Sequence, residues 1–352
     1  MIFTDIRLQN FRSYNDESFE LGPAVTIVVG PNAAGKTNLV EALMFAARGS
    51  SYRSNDMVIR TSADWARIDV HTTNNEVRTV KFTPSTTSYQ KDFTVEEKAY
   101  KRLPAAHKQP VVLFEPNDLF LLHGEPALRR KFVDTLLAQI SEEYGANLNK
   151  YKRVLAQRNA LLKRGANSTD QQLFVWNVRL VELATQIVNS RIDLIAQINN
   201  SLSEIYGLIA GKPTELQAVY VSKTDINNYA SSLMKGLEKN LELDGLRGFT
   251  SLGPHRDDMG FDFGEKEHAS QASRGEARSL ILALKIIELR LIEERSGKKP
   301  LLLLDDVFSE LDGLRRKKLT NYLKDHQTII TTTDADIVMK NFSKAAHLIA
   351  IT

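Results

Sequence analysis

The chain has 352 residues, 42% of them apolar, enough for about two domains with real cores, and no cysteine, which excludes structural disulfides and thiolate metal sites. A formal net charge of +3 sets up no overall field that demands a polyanionic partner, and no apolar run approaches the ~18 residues of a membrane span. The opening MIFTDIRLQNFRSY carries Asp5 and Arg7 where a secretion signal needs an apolar stretch, so a cytoplasmic protein without a membrane partner is expected.

Residues 2–8 read as a first strand, and 19–21 begin its partner. VTIVV (25–29) predicts a short strand buried on both faces. The loop GPNAAGKT follows it, and NLVEALMFAAR continues as a helix. Gly30, Gly35, Lys36 and Thr37 fit the spacing G-x-x-x-x-G-K-[ST]. In that pattern the loop Gly30-Pro31-Asn32-Ala33-Ala34-Gly35 turns backbone N–H groups and a helix start toward phosphates, Lys36 reaches the outer ones and the Thr37 hydroxyl ligates Mg²⁺. Ala33 and Ala34 occupy positions where related loops often carry glycine, and a negative φ is expected at both because a left-handed backbone strains alanine.

Between residues 59 and 94 the β-rich runs ARIDVHT, VRTVKFT and KDFTV, separated by turn residues, predict an antiparallel sheet beside the nucleotide strand. VVLFEP (111–116) reads as a buried strand, and the composition then turns helical. From Pro126 an apolar stripe runs through Val133, Leu136, Ile140, Tyr144, Leu148, Tyr151, Leu155 and Leu162, as one long helix or two in succession. RGANSTD (164–170) breaks it, and Leu173 to Ile205 carries a second stripe, ~50 Å long if continuous. The two stripes suggest an antiparallel hairpin, either a projecting arm or part of a compact helical domain. Residues 101–164 hold 12 Lys and Arg against 6 Asp and Glu, a surface suited to phosphate backbones or equally a solvated helical face.

Residues 216–221 and 246–263 return to β character. Ser273 with Glu276 forms a capping box that starts a helix with Arg274 and Gly275 in its first turn, where free N–H groups can bind an anion or simply begin the helix. LLLL (301–304) predicts a central strand with Asp305 at its carboxyl end, placed to hold Mg²⁺ opposite Thr37, while Asp306 can orient or deprotonate a water. Paired carboxylates also serve as plain helix caps. QTIITTT (327–333) is one more buried strand, with Thr333 and Asp334 at its end.

The order of phosphate loop, long insertion, Ser-x-Gly-Glu helix start and acidic strand followed by SELD resembles the ABC-type ATPase heads of the SMC proteins. Three further stretches, PNDLFLLHGEPALRRKFVD (116–134), GPHRDD (253–258) and LLDDVFSELDGLRRKKL (303–319), are more similar to the RecF family of bacterial recombination mediators, and the likeness spans the whole chain. It implies an α/β fold: a P-loop NTPase of ABC/SMC head type with an antiparallel β subdomain and an inserted helical domain. On it, 1–115 and 213–352 are the two parts of the ATPase head and 116–212 the helical domain. It also implies ATP and Mg²⁺ as cofactors and an ATP-dependent homodimer that sandwiches the nucleotide between Gly30 to Thr37 of one subunit and Ser273 and Gly275 of the other. Asp305 would be the Mg²⁺ acid beside Thr37, Asp306 the water-activating acid where other ABC ATPases have Glu, and Asp312 would lie in the loop facing the partner.

Function by resemblance is a weak ATPase coupled to dimerisation and to DNA binding near single-strand gaps, acting with RecO and RecR to load RecA in gap repair and supporting the SOS response. Two departures stand out: Asn117 where an acid is expected, and Thr333 where transporter ATPases have a γ-phosphate-sensing His, which implies slow hydrolysis. A transporter ATPase subunit is a competing reading, although the 236 positions from Thr37 to Ser273 exceed what that compact subunit needs. An SMC-like structural protein would require hundreds of heptad residues, and a P-loop small-molecule kinase would lack the SRGE and SELD elements.

Overall fold

The computed structural model describes every residue except 54–56, 86–88, 165–169, 265–271, 335–337, 339–341 and 343–345. Strands β1 (Phe3–Gln9), β2 (Asp16–Glu20) and β3 (Val25–Val29) lead into helix α1 (Lys36–Arg48). Then come β4 (Ala66–Thr72), β5 (Val77–Pro84), β6 (Tyr89–Val95), β7 (Lys98–Tyr100) and β8 (Val111–Phe114). Helices α2 (Phe120–His123), α3 (Pro126–Ile140), α4 (Glu142–Lys163) and α5 (Asp170–Ala210) precede β9 (Gln217–Val221), α6 (Tyr229–Lys239), α7 (Leu241–Arg247) and β10 (Asp258–Asp262). The last elements are α8 (Arg274–Ser296), β11 (Leu301–Asp305), α9 (Val307–Glu310), α10 (Gly313–Leu323), β12 (Thr328–Thr332) and β13 (His347–Ala350). These form two compact units, one of residues 1–118 with 288–352 and one of residues 119–287. Residues 213–287, with the β9–β10 ribbon, thus group with the helices.

The first unit contains two sheets. Five parallel strands in the order β13-β3-β12-β11-β8 form one of them, and two of its three interior strands, β11 and β12, are buried at every residue, as befits strands covered on both faces. The other sheet is antiparallel, in the order β2-β1-β4-β5-β6-β7, with the apolar and polar alternation of a sheet that faces water on one side. Helix α1 is shared by both: Leu39, Leu43 and Phe45 lie in one core with Ile68 and Phe82 of the antiparallel sheet and Leu303 and Ile329 of the parallel one. Phe45 and Phe82 meet edge to face at 5.0 Å. The helix that follows the phosphate loop is therefore anchored from two sides.

In the second unit the first helical stripe is two helices, because Ser141 takes an extended backbone and its hydroxyl accepts the Tyr144 N–H at 3.1 Å to cap α4. The second stripe is a single helix of 41 residues, about 60 Å long. Asn147 bonds Gln186 and Arg158 bonds Asn177, so α4 and α5 run antiparallel. The hairpin packs into the compact unit. Arg158, fully buried, bonds Asn177 on α5, Asp244 on α7 and Thr250 beyond it, and Asn199 pairs with both backbone groups of Ala218 on β9.

Residues 246–263 differ from the β expectation: only 258–262 form a strand, and 241–247 are helical. Glycines at φ 70° (Gly248) and 121° (Gly253) turn the intervening chain, and Asn159 Oδ1 accepts both the Thr250 N–H and its hydroxyl, so the short apolar run is held as a loop. The same loop buries His255, whose Nδ1 lies 2.7 Å from the Tyr151 hydroxyl and whose Nε2 lies 3.1 Å from the Thr250 carbonyl. Burial pushes its pKa down to about 4. Asp257 beside it accepts hydroxyls of Tyr220 and Ser222 at 2.7 Å each, and burial holds its carboxyl above the usual range. Helix α6, absent from the sequence expectation, buries Tyr229, Leu233 and Leu237, which recur at helical spacing. Among the described residues no helix is long and apolar enough to cross a membrane.

Candidate functional site

The phosphate loop leaves the carboxyl end of β3 and enters α1 at Gly35. Sterics fix both its glycines. A Cβ on Gly30 would stand 2.4 Å from the Ile351 carbonyl oxygen, and one on Gly35, at φ 107°, 2.8 Å from the Ser13 hydroxyl. The Tyr14 hydroxyl donates to the Gly35 carbonyl at 2.9 Å, fastening the start of α1 from β1's far end. Ala33 overturns the expectation of a negative φ: its φ is 68°. The loop closes through the Ala34 N–H to the Pro31 carbonyl, and this tight return puts Ala33, the second of the two intervening residues, in the left-handed region despite its methyl group, a strain of about 1 kcal/mol.

Lys36, 7% exposed, folds its ammonium back inside the loop, donating to the carbonyls of Gly30 at 2.9 Å and Pro31 at 2.8 Å. Thr37 reaches the interior strand β11, one strand beyond β3's neighbour β12: its hydroxyl bonds Asp305 Oδ1 at 3.1 Å. The same oxygen accepts the Thr331 hydroxyl at 2.8 Å, and Asp305 Oδ2 lies 3.3 Å from the Tyr52 hydroxyl. Burial, with the charge of Asp305, pushes the Tyr52 phenol well above its ordinary range. Asp306 follows at φ 56°, its N–H donating to Thr331 at 3.0 Å, and sits at the start of α9.

Tyr52 and Thr331 were not foreseen. Thr331 sits within the threonine run at the end of its strand, a visible but unspecific cue, and Tyr52 carries none. A third group, also unforeseen, surrounds the first turn of α1: buried Glu41 takes Arg12 through two bonds of 3.0 and 2.9 Å, and Arg53 reaches both Glu41 and Asn38.

The remaining predicted residues lie apart from this cluster in sequence. Ser273 and Gly275 begin α8, and the capping box forms: the Ser273 N–H donates to Glu276 Oε2 at 2.8 Å and the Glu276 N–H returns to the Ser273 hydroxyl at 3.3 Å. Asp312 caps α10 by accepting the Arg315 N–H at 2.9 Å, and this bond, then the guanidinium, holds its carboxyl below the usual range. Asn117 is exposed, and the capping acid of its turn is Asp118, which accepts the Glu115 N–H. Thr333 follows β12 in a bend, before Asp334, whose N–H bonds Thr332.

Residues 2–351 match the family model described as RecF/RecN/SMC N terminal domain. A DNA replication and repair protein RecF of Desulfitobacterium hafniense is 32% identical over 96% of this chain and 95% of its own length. That of Lactobacillus johnsonii is 34% identical over 96% and 93%. The chain belongs to the RecF family. A solved structure of the recombination mediator RecF with ATP superposes with a TM-score of 0.83 at 28% identity, over 95% of this chain and 92% of that one. An SMC head bound to the C-terminal winged-helix domain of ScpA superposes at 0.55 with 14% identity over 97% and 92%, a likeness of fold alone. The RecF-family chain thus has the α/β P-loop ATPase fold of ABC/SMC heads, with an antiparallel sheet beside the parallel one, and its family is one of DNA replication and repair.

Proposed function

We propose that this RecF-family protein binds ATP with Mg²⁺, dimerises on it and uses the dimer to bind DNA at gaps or single-strand/double-strand junctions. The observation that carries the reading is the meeting of Thr37 and Asp305, which joins a phosphate loop to an acidic strand at the carboxyl ends of a parallel sheet. The donor set fits the metal. Mg²⁺ takes oxygen ligands from one or two protein groups and completes its shell with phosphate and water, and this pair offers a hydroxyl and a carboxylate already in contact. When bound, the ion neutralises charge that develops on the phosphate oxygens.

The chain's own groups do the rest. Lys36 supplies a fixed cation inside the loop, and the backbone from Gly30 through Pro31, Asn32, Ala33 and Ala34 to Gly35 wraps the phosphates. Thr331 and Tyr52 orient the Asp305 carboxylate. Asp306 takes the proton of an attacking water or orients it. Ser273 and Gly275 would meet the γ-phosphate of the partner subunit's nucleotide, and Asp312 would face that partner. Hydrolysis is slow, since Thr333 offers no imidazole to the γ-phosphate. Residues 1–115 and 213–352 would supply the head functions and 116–212 the helical domain.

Contact with DNA is mainly to phosphates, through the basic helical segments that include Lys152 and Arg153, so affinity falls steeply with salt and depends little on sequence. RecO and RecR are the expected partners, with RecA loading and support of the SOS response as the outcome, in the cytoplasm. The test is size-exclusion chromatography with and without ATP and a gapped duplex: an ATP-dependent doubling of mass that carries the DNA is expected. A chain that stays monomeric and elutes apart from DNA in ATP is an ordinary NTPase.

A further inference from the structure

The amino ends of the parallel strands border a cavity of about 410 Å³, in the first unit. Pro23, Gln109, Pro300 and Gln327, which line it, lie one or two residues before β3, β8, β11 and β12, so it opens at the end of the sheet opposite the phosphate loop. Five-residue strands keep the two ends roughly 16 Å apart.

Charge is distributed unevenly around this cavity. Arg78, Lys108, Lys298 and Lys299 line it against Glu76 and Asp325, an excess of two cations even with His107 neutral. Glu76 is committed: Oε1 takes Arg78, which is fully buried, and Oε2 lies 3.5 Å from His107 Nδ1. Lys298 and Lys299 donate only to backbone, the first to the Ala106 carbonyl at 3.4 Å and the second to the Asp325 carbonyl at 3.0 Å, and neither has a carboxylate partner among the described residues. Two ammonium groups without an ion-pair partner among the described residues thus line an open cavity, over a floor of Phe3 and Leu301.

We propose that this cavity binds a phosphomonoester, its phosphate held by Lys298, Lys299 and Lys108 and its body resting against the apolar floor. The volume lies at the small end of ligand pockets, enough for one nucleotide-sized molecule and too small for a duplex. A phosphate dianion suits the surplus charge because it accepts charge-assisted bonds from several donors at once. The ester can be a free metabolite or the phosphorylated end of a nucleic-acid strand.

The experiment uses the Lys36→Met protein, so that the phosphate loop contributes no binding, and titrates it calorimetrically with thymidine 5′-monophosphate and with a short single strand with and without a 5′-phosphate. The same titrations follow in Lys36→Met with Lys298→Glu and Lys299→Glu, both exposed side chains whose reversal leaves the core untouched; circular dichroism checks the fold, and the double Gln variant serves if the charge reversal misfolds. Binding of the monophosphate, or of the strand only when phosphorylated, that weakens at least tenfold in the double variant is expected, and which probe binds identifies the source of the phosphate. Absence of phosphate-dependent binding, or binding unchanged by both double variants, overturns the inference without touching the ATP site. Monophosphate binding lost on Lys36→Met alone overturns it too, by assigning that binding to the phosphate loop.

Discussion

The Thr37 hydroxyl lies 3.1 Å from Asp305 Oδ1 although 268 positions separate the two residues. A contact this remote in sequence is maintained by parallel pairing of β3 with β12 and β12 with β11, which sets the carboxyl ends of all three level. Asp305→Asn keeps the shape and removes the charge. ATP affinity measured by calorimetry in Mg²⁺ should fall by roughly tenfold or more, about 1.4 kcal/mol, with little change in EDTA. An equal loss in both conditions would make Asp305 a framework residue.

Asp306→Asn should leave ATP binding intact and slow steady-state phosphate release by about a hundredfold or more, within the range for a lost general base. The left-handed φ of 56° favours this particular replacement, since Asn tolerates that region as Asp does. Unchanged turnover would move the catalytic role to another group.

Ser273→Arg should separate nucleotide binding from dimerisation. Its own subunit's loop keeps Lys36 and Thr37, so ATP still binds, while the bulky cation obstructs the partner. Loss of the cap costs about 1 kcal/mol, small enough for the fold to survive. Mixing Ser273→Arg with Lys36→Met should restore part of the ATPase, because one composite site of the mixed dimer is then intact. A Ser273→Arg protein that dimerises and hydrolyses normally would rule out the shared arrangement.

Ala33→Gly should raise stability by up to about 1 kcal/mol, by relieving a methyl group at φ 68°, and Ala34→Gly, outside the left-handed region, should not. Thermal melts of the two variants without nucleotide provide the comparison. Equal effects at the two positions would show that the loop's backbone stores no strain.

Acid should loosen the second unit. With a pKa near 4 when folded against 6.5 when free, His255 refuses a proton that the unfolded chain accepts, so stability falls as pH drops from about 6.5 toward 4. Asp257, raised above 3.8, works the other way, because its protonation favours the folded state as pH falls through that raised value. The urea midpoint followed by Trp176 fluorescence in a Trp65→Phe background should be lower at pH 5 than at pH 7, and His255→Gln should flatten the difference. A midpoint that does not move would mean that His255 titrates alike in both states.

The site's outline is legible in the sequence where chemistry and period coincide. β3 and β11 are short, largely apolar runs next to residues whose spacing has few other uses, and Ser273 with Glu276 announces a helix start. Legibility ends where geometry depends on distant partners. HLIA of β13 is too short and mixed to mark a strand, only the end of β2 is visible at 19–20, and residues 246–257 hold Leu246, Phe249 and Leu252 in a segment bent by Gly248 and Gly253. Thr331 touches Asp305 because β12 lies beside β11, Tyr52 touches it from the bend after α1, and the left-handed Ala33 follows from loop closure, which no single residue encodes.

The order of strands in the parallel sheet also governs when the site can exist. Gly30 donates to the Thr332 carbonyl, Ile351 donates to Val29, and β3 is flanked by β12 and β13, so the strand that launches the phosphate loop acquires both its neighbours from the last 25 residues of the 352. During synthesis residues 119–287 can finish their own compact unit while β3, made hundreds of residues earlier, still waits with two open edges. A nascent chain arrested before residue 328 should retain no ATP on a nucleotide resin. Its β3 stays without either neighbour until β12 and β13 are made.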